Sequence, residues 1–140
     1  MPKQSSTAFQ TKTKDGVVWE ISRLLEDNRL LHGFSTRLGG VSRGAQASLN
    51  LDHKQDSNEN VRQNHLRFAA AIGYDARRLV STHQVHKDEI RVAQPEDEGL
   101  VLDGPTPYEC DALITNIPGR PLICYSADCI PILLWAEDVS

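Results

Sequence analysis

One amphipathic helix among many short apolar runs is the feature that most constrains the fold of this chain. From about Asn58 to Ile72, apolar residues recur at helical spacing, and Gly73 follows as a natural C-terminal cap. Asp56 and Glu59 have the spacing of a capping box. The predicted buried face consists of Val61, His65, Phe68, Ala69 and Ile72. The other apolar runs are typical of strands and lie at 16–21, 30–35, 79–85, 89–93, 112–115, 121–125 and 131–135. One helix with many strands predicts an α+β fold, with a mixed β-sheet or sandwich flanked by helices.

The domain organisation follows from length and from the polar N-terminus. A chain of 140 residues fits a single core. Residues 1–15 are rich in Ser, Thr, Gln and Lys, which predicts a flexible tail, with one domain over 16–140.

Charge and cysteine content exclude several classes of protein. Fifteen Lys and Arg against 19 Asp and Glu give a net charge of −4 without a basic stripe, which argues against nucleic-acid binding. No apolar run approaches the roughly 20 residues of a membrane helix, and the N-terminus lacks a secretory apolar region. Three cysteines without CxxC spacing argue against a disulfide framework. We therefore expect a cytoplasmic protein that binds neither membrane nor nucleic acid.

Two side chains that can bind a metal stand at the ends of apolar runs, namely His86 in Gln84-Val85-His86 and Cys129 in Ala127-Asp128-Cys129-Ile130-Pro131. Imidazole and thiolate are preferred zinc ligands, and a catalytic zinc normally has three protein ligands. His83 would face the opposite side of an extended strand from His86. The alternative is a surface histidine and a small buried cysteine, and Cys124 in its apolar run is predicted to be a core residue.

A glycine-punctuated loop from Arg37 to Gly44 is the second candidate site. Successive glycines allow backbone N–H groups to converge on an anion, and the Arg37 guanidinium suits phosphate. Ser35 and Asn50 offer polar contacts to a sugar. A simple turn is the alternative interpretation, and the loop lacks the Gly-Lys-Ser/Thr ending of a P-loop.

Taken together, these segments resemble the YfiH-type family, known as laccase-domain or multicopper polyphenol oxidase proteins. The resemblance runs in order from about residue 30 to 135. The matching segments are 32–37, 39–44, 48–51, Asn60-Val61, Asn64, 84–86, 111–115 and 127–131.

The resemblance implies a YfiH-like fold and a zinc-dependent purine nucleoside phosphorylase. Such an enzyme converts adenosine or inosine and phosphate into the free base and ribose 1-phosphate, and the family also carries adenosine deaminase and methylthioadenosine phosphorylase activities. His86 and Cys129 map to two of the zinc ligands. The third, a histidine in a His-Ala-Gly-Trp-Arg-Gly segment, is expected beyond Ser140, so the chain resembles the N-terminal half of a longer domain. Arg37 is the candidate anchor for phosphate or ribose, with Ser35 and Asn50 beside it.

Three alternatives remain open. The first is an inactive truncated family member. The second is one half of a split protein, whose site is completed by a homo-oligomer or by a complementing fragment. The third is a nucleophilic hydrolase in which Cys129 attacks the substrate and His86 acts as the base. A multicopper oxidase is rejected, because five histidines cannot fill a type 1 copper site and a trinuclear cluster.

Overall fold

The N-terminal part of the described chain forms an antiparallel three-stranded sheet. The computed structural model describes residues 8–26 and 29–137. Strand β1 (Phe9–Lys14) pairs with β2 (Val17–Ser22), and β2 pairs with β3 (Phe34–Ser35). Asp15 and Gly16 join β1 to β2 with φ of 51° and 81°, which is the geometry of a tight hairpin turn. Ordered structure thus begins before residue 16, in contrast to the predicted tail; residues 1–7 of that tail lie outside the described residues.

Helix α1 (Asn58–Ile72) has the bounds that the periodicity predicts. The predicted capping box is wrong, because Ser57 is the N-cap and its hydroxyl accepts a hydrogen bond from the Asn60 N–H. The C-terminus is as expected, since Gly73 adopts φ of 104° and donates its N–H to the Ala69 carbonyl.

The remaining strands form two parallel pairs. Strand β4 (Val80–Ser81) pairs with β7 (Leu122–Ile123), and β5 (Ile90–Val92) pairs with β6 (Ala112–Ile114). These strands are shorter than the apolar runs that predict them. The strand expected at 131–135 is absent: residues 124–137 belong to no strand, because no neighbouring strand pairs with them. The α+β fold with mixed sheets is nevertheless confirmed.

The main core lies between β2, α1 and the loop before α1. Trp19 and Val17 from β2 pack with Phe68 from α1 and with Leu49 and Leu51. All five are at most one tenth exposed, so this packing fixes the loop on which Arg37 lies. No helix in the described ranges is long and apolar enough to cross a membrane.

Candidate functional site

His86 lies on a short loop with an unusual backbone conformation. Its φ is +57°, a left-handed conformation that few non-glycine residues adopt. Its N–H donates to Oε1 of Gln84 at 2.8 Å. Strand β4 ends at Ser81, so the extended run that would separate His83 from His86 is already broken. The His86 side chain is exposed and available to a ligand.

The Asp111 carboxylate holds this loop from across the structure. Its Oδ1 accepts the Val85 N–H at 3.0 Å, and its Oδ2 accepts the N–H groups of Lys87 at 3.0 Å and Glu89 at 3.1 Å. Partial desolvation acts to raise the pKa of Asp111, but the hydrogen bonds from these N–H groups outweigh it and lower the pKa below its ordinary value. An ionised carboxylate thus accepts hydrogen bonds from the backbone on both sides of His86. The motif containing Asp111 was visible in the sequence, but nothing there indicated this contact.

Cys129 lies on the extended segment after β7, and its side chain is exposed rather than buried. The Ser126 hydroxyl donates to its carbonyl oxygen. Cys124 is also exposed, so its predicted place in the core is wrong; the short β7 leaves that side of the chain uncovered.

The metal donors do not form a complete centre. Within 8–26 and 29–137, no group of three or more His, Cys, Asp or Glu side chains is placed to hold a metal ion. His86 and Cys129 are of the types that zinc binds, but a catalytic zinc needs a third ligand. The described residues therefore do not by themselves fit a catalytic zinc.

His83 is engaged elsewhere. Its Nδ1 lies 3.2 Å from the Thr106 carbonyl oxygen, and its own carbonyl accepts the Cys110 N–H. Both histidines are exposed, and this contact occupies only Nδ1 of His83.

The Arg37 guanidinium is hydrogen-bonded to the protein backbone. Its Nε and Nη2 both donate to the Ala47 carbonyl, at 2.9 and 2.6 Å. The residue is exposed, and its Nη1 has no hydrogen bond to the described residues. One edge of the guanidinium is therefore used in the fold, and Nη1 remains for a ligand.

The glycine loop does not form an open anion cradle. Four of its backbone N–H groups already have acceptors within the protein, so they are not free for phosphate. The pairs are Leu38 with Thr36 Oγ1, Gly40 with Ser48 Oγ, Val41 with Asn64 Oδ1 and Ser42 with the Ser48 carbonyl.

The two adjacent glycines serve close packing. A Cβ on Gly40 would lie 2.0 Å from the Ser48 carbonyl oxygen, and one on Gly39 would lie 2.4 Å from the Val17 Cα. Gly39 also has φ of 98°. Glycine is required here because two backbone segments touch, which favours the structural interpretation of the pair.

A buried polar network ties the loop to α1. Asn64 is fully buried, and its Nδ2 donates to Ser42 Oγ at 2.8 Å and to the Asn50 carbonyl at 2.7 Å. The Ser42 hydroxyl donates to Asp56, which also accepts from the side chains of Asn60 and Asn50. These hydrogen bonds, that from Ser42 being the largest cause, lower the pKa of Asp56 to about 2. Sequence reasoning assigned Asn64 and Asp56 no such role.

Ser35 and Asn50 lie on either side of this loop. Ser35 is half-buried in β3, opposite Trp19 of β2. The Asn50 amide donates to the Asp52 carbonyl and to Asp56, so part of its hydrogen-bonding capacity holds the loop. Asn50 also lines an open depression of about 140 Å³ together with Gln46, Asp52, Lys54 and Gln55.

The fold and its sequence match a known class. Residues 31–140 match the family described as "Multi-copper polyphenol oxidoreductase laccase", a range that includes Arg37, His86 and Cys129. The chain belongs to this family.

Relatives within it carry a different description. A purine nucleoside phosphorylase of Deinococcus radiodurans is 42% identical over 103 residues, which are 74% of this chain and 37% of the relative. A second one, from Corynebacterium glutamicum, is 39% identical over 75% of this chain and 42% of its own length. The crystal structure of YlmD from Geobacillus stearothermophilus superposes with a TM-score of 0.73 at 28% identity, over 87% of this chain and 45% of YlmD. YfiH of Bacillus licheniformis gives 0.70 at 26% identity. The chain spans less than half the length of these relatives.

Proposed function

We propose that this chain contributes half of the active site of a zinc-dependent purine nucleoside phosphorylase. The reaction joins a phosphate oxygen to the ribose C1′ of adenosine or inosine, breaks the N-glycosidic bond and releases the purine base with ribose 1-phosphate. The main support is the identity of 42% to a relative named purine nucleoside phosphorylase, within a family match that includes all the candidate residues. Deamination of adenosine and phosphorolysis of methylthioadenosine are further candidate reactions of the same site.

His86 and Cys129 are proposed as two of three zinc ligands. Both side chains are exposed, and both are of types that zinc prefers. Zinc held by these two residues and a third ligand would supply Lewis-acid chemistry, by polarising a substrate oxygen or activating water. The family description names copper; zinc is proposed here because an imidazole and a thiolate are the ligands that it prefers.

The incomplete donor set favours a specific form of this proposal, in which the chain by itself is inactive. We propose that this chain, β1 included, is the N-terminal part of a single domain and that its remaining part supplies the third ligand. Arg37 is the proposed phosphate or ribose anchor through Nη1, with Ser35 and Asn50 as further polar contacts. Three free cysteines suit a cytoplasmic setting.

Phosphate-dependent release of base from adenosine and inosine tests the proposal. We expect no turnover from the purified chain with zinc, and turnover once the chain is joined to the remaining part of the domain from the Deinococcus radiodurans relative. His86→Ala and Cys129→Ala should then abolish activity and lower the bound zinc content. Turnover without zinc that still needs Cys129 would instead favour a nucleophilic hydrolase.

Arg37 is tested in the same assay. Arg37→Ala should raise the KM for phosphate, because a charged contact to the anion is lost. Arg43→Ala is the matched control, since Arg43 is an exposed arginine of the same loop. An unchanged phosphate KM for Arg37→Ala would refute the proposed role.

A further inference from the structure

The loop that carries His86 is fastened at both ends to one segment of the chain. Before the loop, the His83 carbonyl accepts the Cys110 N–H at 3.0 Å. After the loop, the Glu89 carbonyl accepts the Asp111 N–H at 2.8 Å. Because Cys110 and Asp111 are neighbours in the chain, the two ends of the loop cannot move apart independently.

The Asp111 side chain connects to the same loop at three further points. Its carboxylate accepts the N–H groups of Val85, Lys87 and Glu89, at 3.0, 3.0 and 3.1 Å. Val85 and Lys87 are the two neighbours of His86. Hydrogen bonds to a charged acceptor are shorter and stronger than those between neutral groups. One carboxylate therefore supplies the acceptors that a partner strand would otherwise provide.

His86 depends on this support because of its backbone conformation. Its φ of +57° is unfavourable for a residue with a Cβ and persists only where the surrounding structure holds it. The Gln84 side chain accepts the His86 N–H at 2.8 Å, and the Asp111 carboxylate holds the N–H groups on either side. In the part of the chain that the structure describes, the exposed imidazole itself forms no hydrogen bond. The backbone therefore sets the direction of the side chain.

We propose that Asp111 is a positioning residue, whose carboxylate holds the left-handed conformation of His86 and so fixes the direction in which the imidazole is presented. It acts through the backbone and needs no contact with substrate. The consequence for catalysis rests on the proposed function, in which His86 is a site residue. The consequence for the backbone does not depend on the reaction.

Hydrogen exchange in this chain tests the contact. Asp111→Ala removes all three acceptors, whereas Asp111→Asn keeps a single oxygen and can serve only one side of the loop. Exchange at the N–H groups of Val85 and Lys87 should become about tenfold faster in Asp111→Ala, and less than that in Asp111→Asn. Asp88→Ala is the matched control, since Asp88 is an exposed aspartate of the same loop, and exchange should change less than about twofold. Unchanged exchange in α1 shows that the rest of the fold is intact.

The conformation of His86 supplies a second readout, which a general loosening of the fold does not reproduce. At a left-handed φ the N–H and Hα of a residue lie close together, so the unmodified chain should show a strong intraresidue nuclear Overhauser effect at His86. Asp111→Ala should weaken this effect to that of an extended residue. Asp88→Ala should leave it unchanged.

Phosphorolysis supplies the third readout, in the joined protein made of this chain and the remaining part of the Deinococcus radiodurans relative. Asp111→Ala should lower kcat by about tenfold or more, because His86 is displaced from its place in the site. The KM for phosphate should stay within about twofold, because the loop of Arg37 is untouched. This pattern differs from that expected for Arg37→Ala, which raises the phosphate KM.

Each readout can refute a distinct part of the proposal. Unchanged exchange at Val85 and Lys87 in Asp111→Ala would overturn the contact, and an unchanged Overhauser effect at His86 would overturn the support of its conformation. Faster exchange with an unchanged kcat would make Asp111 merely structural. Absence of turnover by the unmodified joined protein would refute the proposed function together with the catalytic consequence, and the first two readouts would still decide whether the carboxylate holds His86.

Discussion

The stability of this fold should depend on pH through His65. The side chain is fully buried in α1, and its Nε2 lies 3.1 Å from the Leu51 carbonyl oxygen and 3.3 Å from the Tyr125 hydroxyl. We assign the ring proton to Nε2, because that nitrogen faces the carbonyl. Nδ1 is buried without a partner among the described residues. A second proton would therefore place an unsatisfied charge in the core, and this burial lowers the pKa of His65 to about 4.

The sign and size of the effect follow from linkage. In the unfolded chain this imidazole takes up a proton below pH 6.5, whereas in the folded protein it does so only near pH 4. The free energy of unfolding is therefore highest above pH 6.5 and falls as the pH drops from 6.5 to 4. Between pH 7 and pH 5 the loss is about 2 kcal/mol for this one group.

Urea unfolding followed by tryptophan fluorescence at pH 7 and pH 5 measures this loss. His65→Gln should reduce stability at pH 7 and remove most of the pH dependence. His86→Gln is the control. The His86 imidazole is exposed, so this variant should lose as much stability between pH 7 and pH 5 as the unmodified chain. If His65→Gln lost as much stability as the unmodified chain between the two pH values, the reasoning would be wrong.

Three further predictions concern packing, backbone and acid stability. Leu79→Ala removes a side chain that is 1% exposed and should cost about 2–5 kcal/mol in urea unfolding. Gly39→Ala should lower the melting temperature more than Gly44→Ala, because both have positive φ but only at Gly39 does the new Cβ meet backbone, at 2.4 Å from Val17. Equal shifts would contradict the close-approach argument. The lowered pKa of Asp56 stabilises the fold above about pH 4, and this stability is lost as the pH falls towards 2; Asp56→Asn should remove that part of the acid titration.

Local signals predicted the parts of the fold that depend on neighbouring residues. Helix α1 has its predicted bounds because apolar periodicity and Gly73 act within one segment. Strand β2 overlaps the predicted run 16–21, whereas β1 (Phe9–Lys14) is not predicted: the polar composition of residues 1–15 indicates a tail, although Asp15-Gly16 is a strong turn signal. The strand expected at 131–135 failed because a strand needs a partner, which no local pattern supplies.

The candidate site also combines residues that local motifs predict with contacts that only the folded structure creates. The sequence motifs indicate Arg37, His86 and Cys129 as candidate site residues, and the roles of these residues remain predictions. The Ala47 carbonyl that holds Arg37 and the Asp111 carboxylate that holds the His86 loop are contacts between distant segments. They depend on the folded arrangement, so no spacing rule in the sequence indicates them.

The concentration of the main core in the first half of the chain has a consequence for biosynthesis. Val17, Trp19, Leu49, Leu51 and Phe68 all precede β5, β6 and the segment after β7 in the chain, so they are translated first. An early nucleus can therefore form during synthesis, as N-terminal units commonly do. The exposed apolar residues of β5, β6 and the segment after β7 are translated later and emerge beside core residues that can already pack.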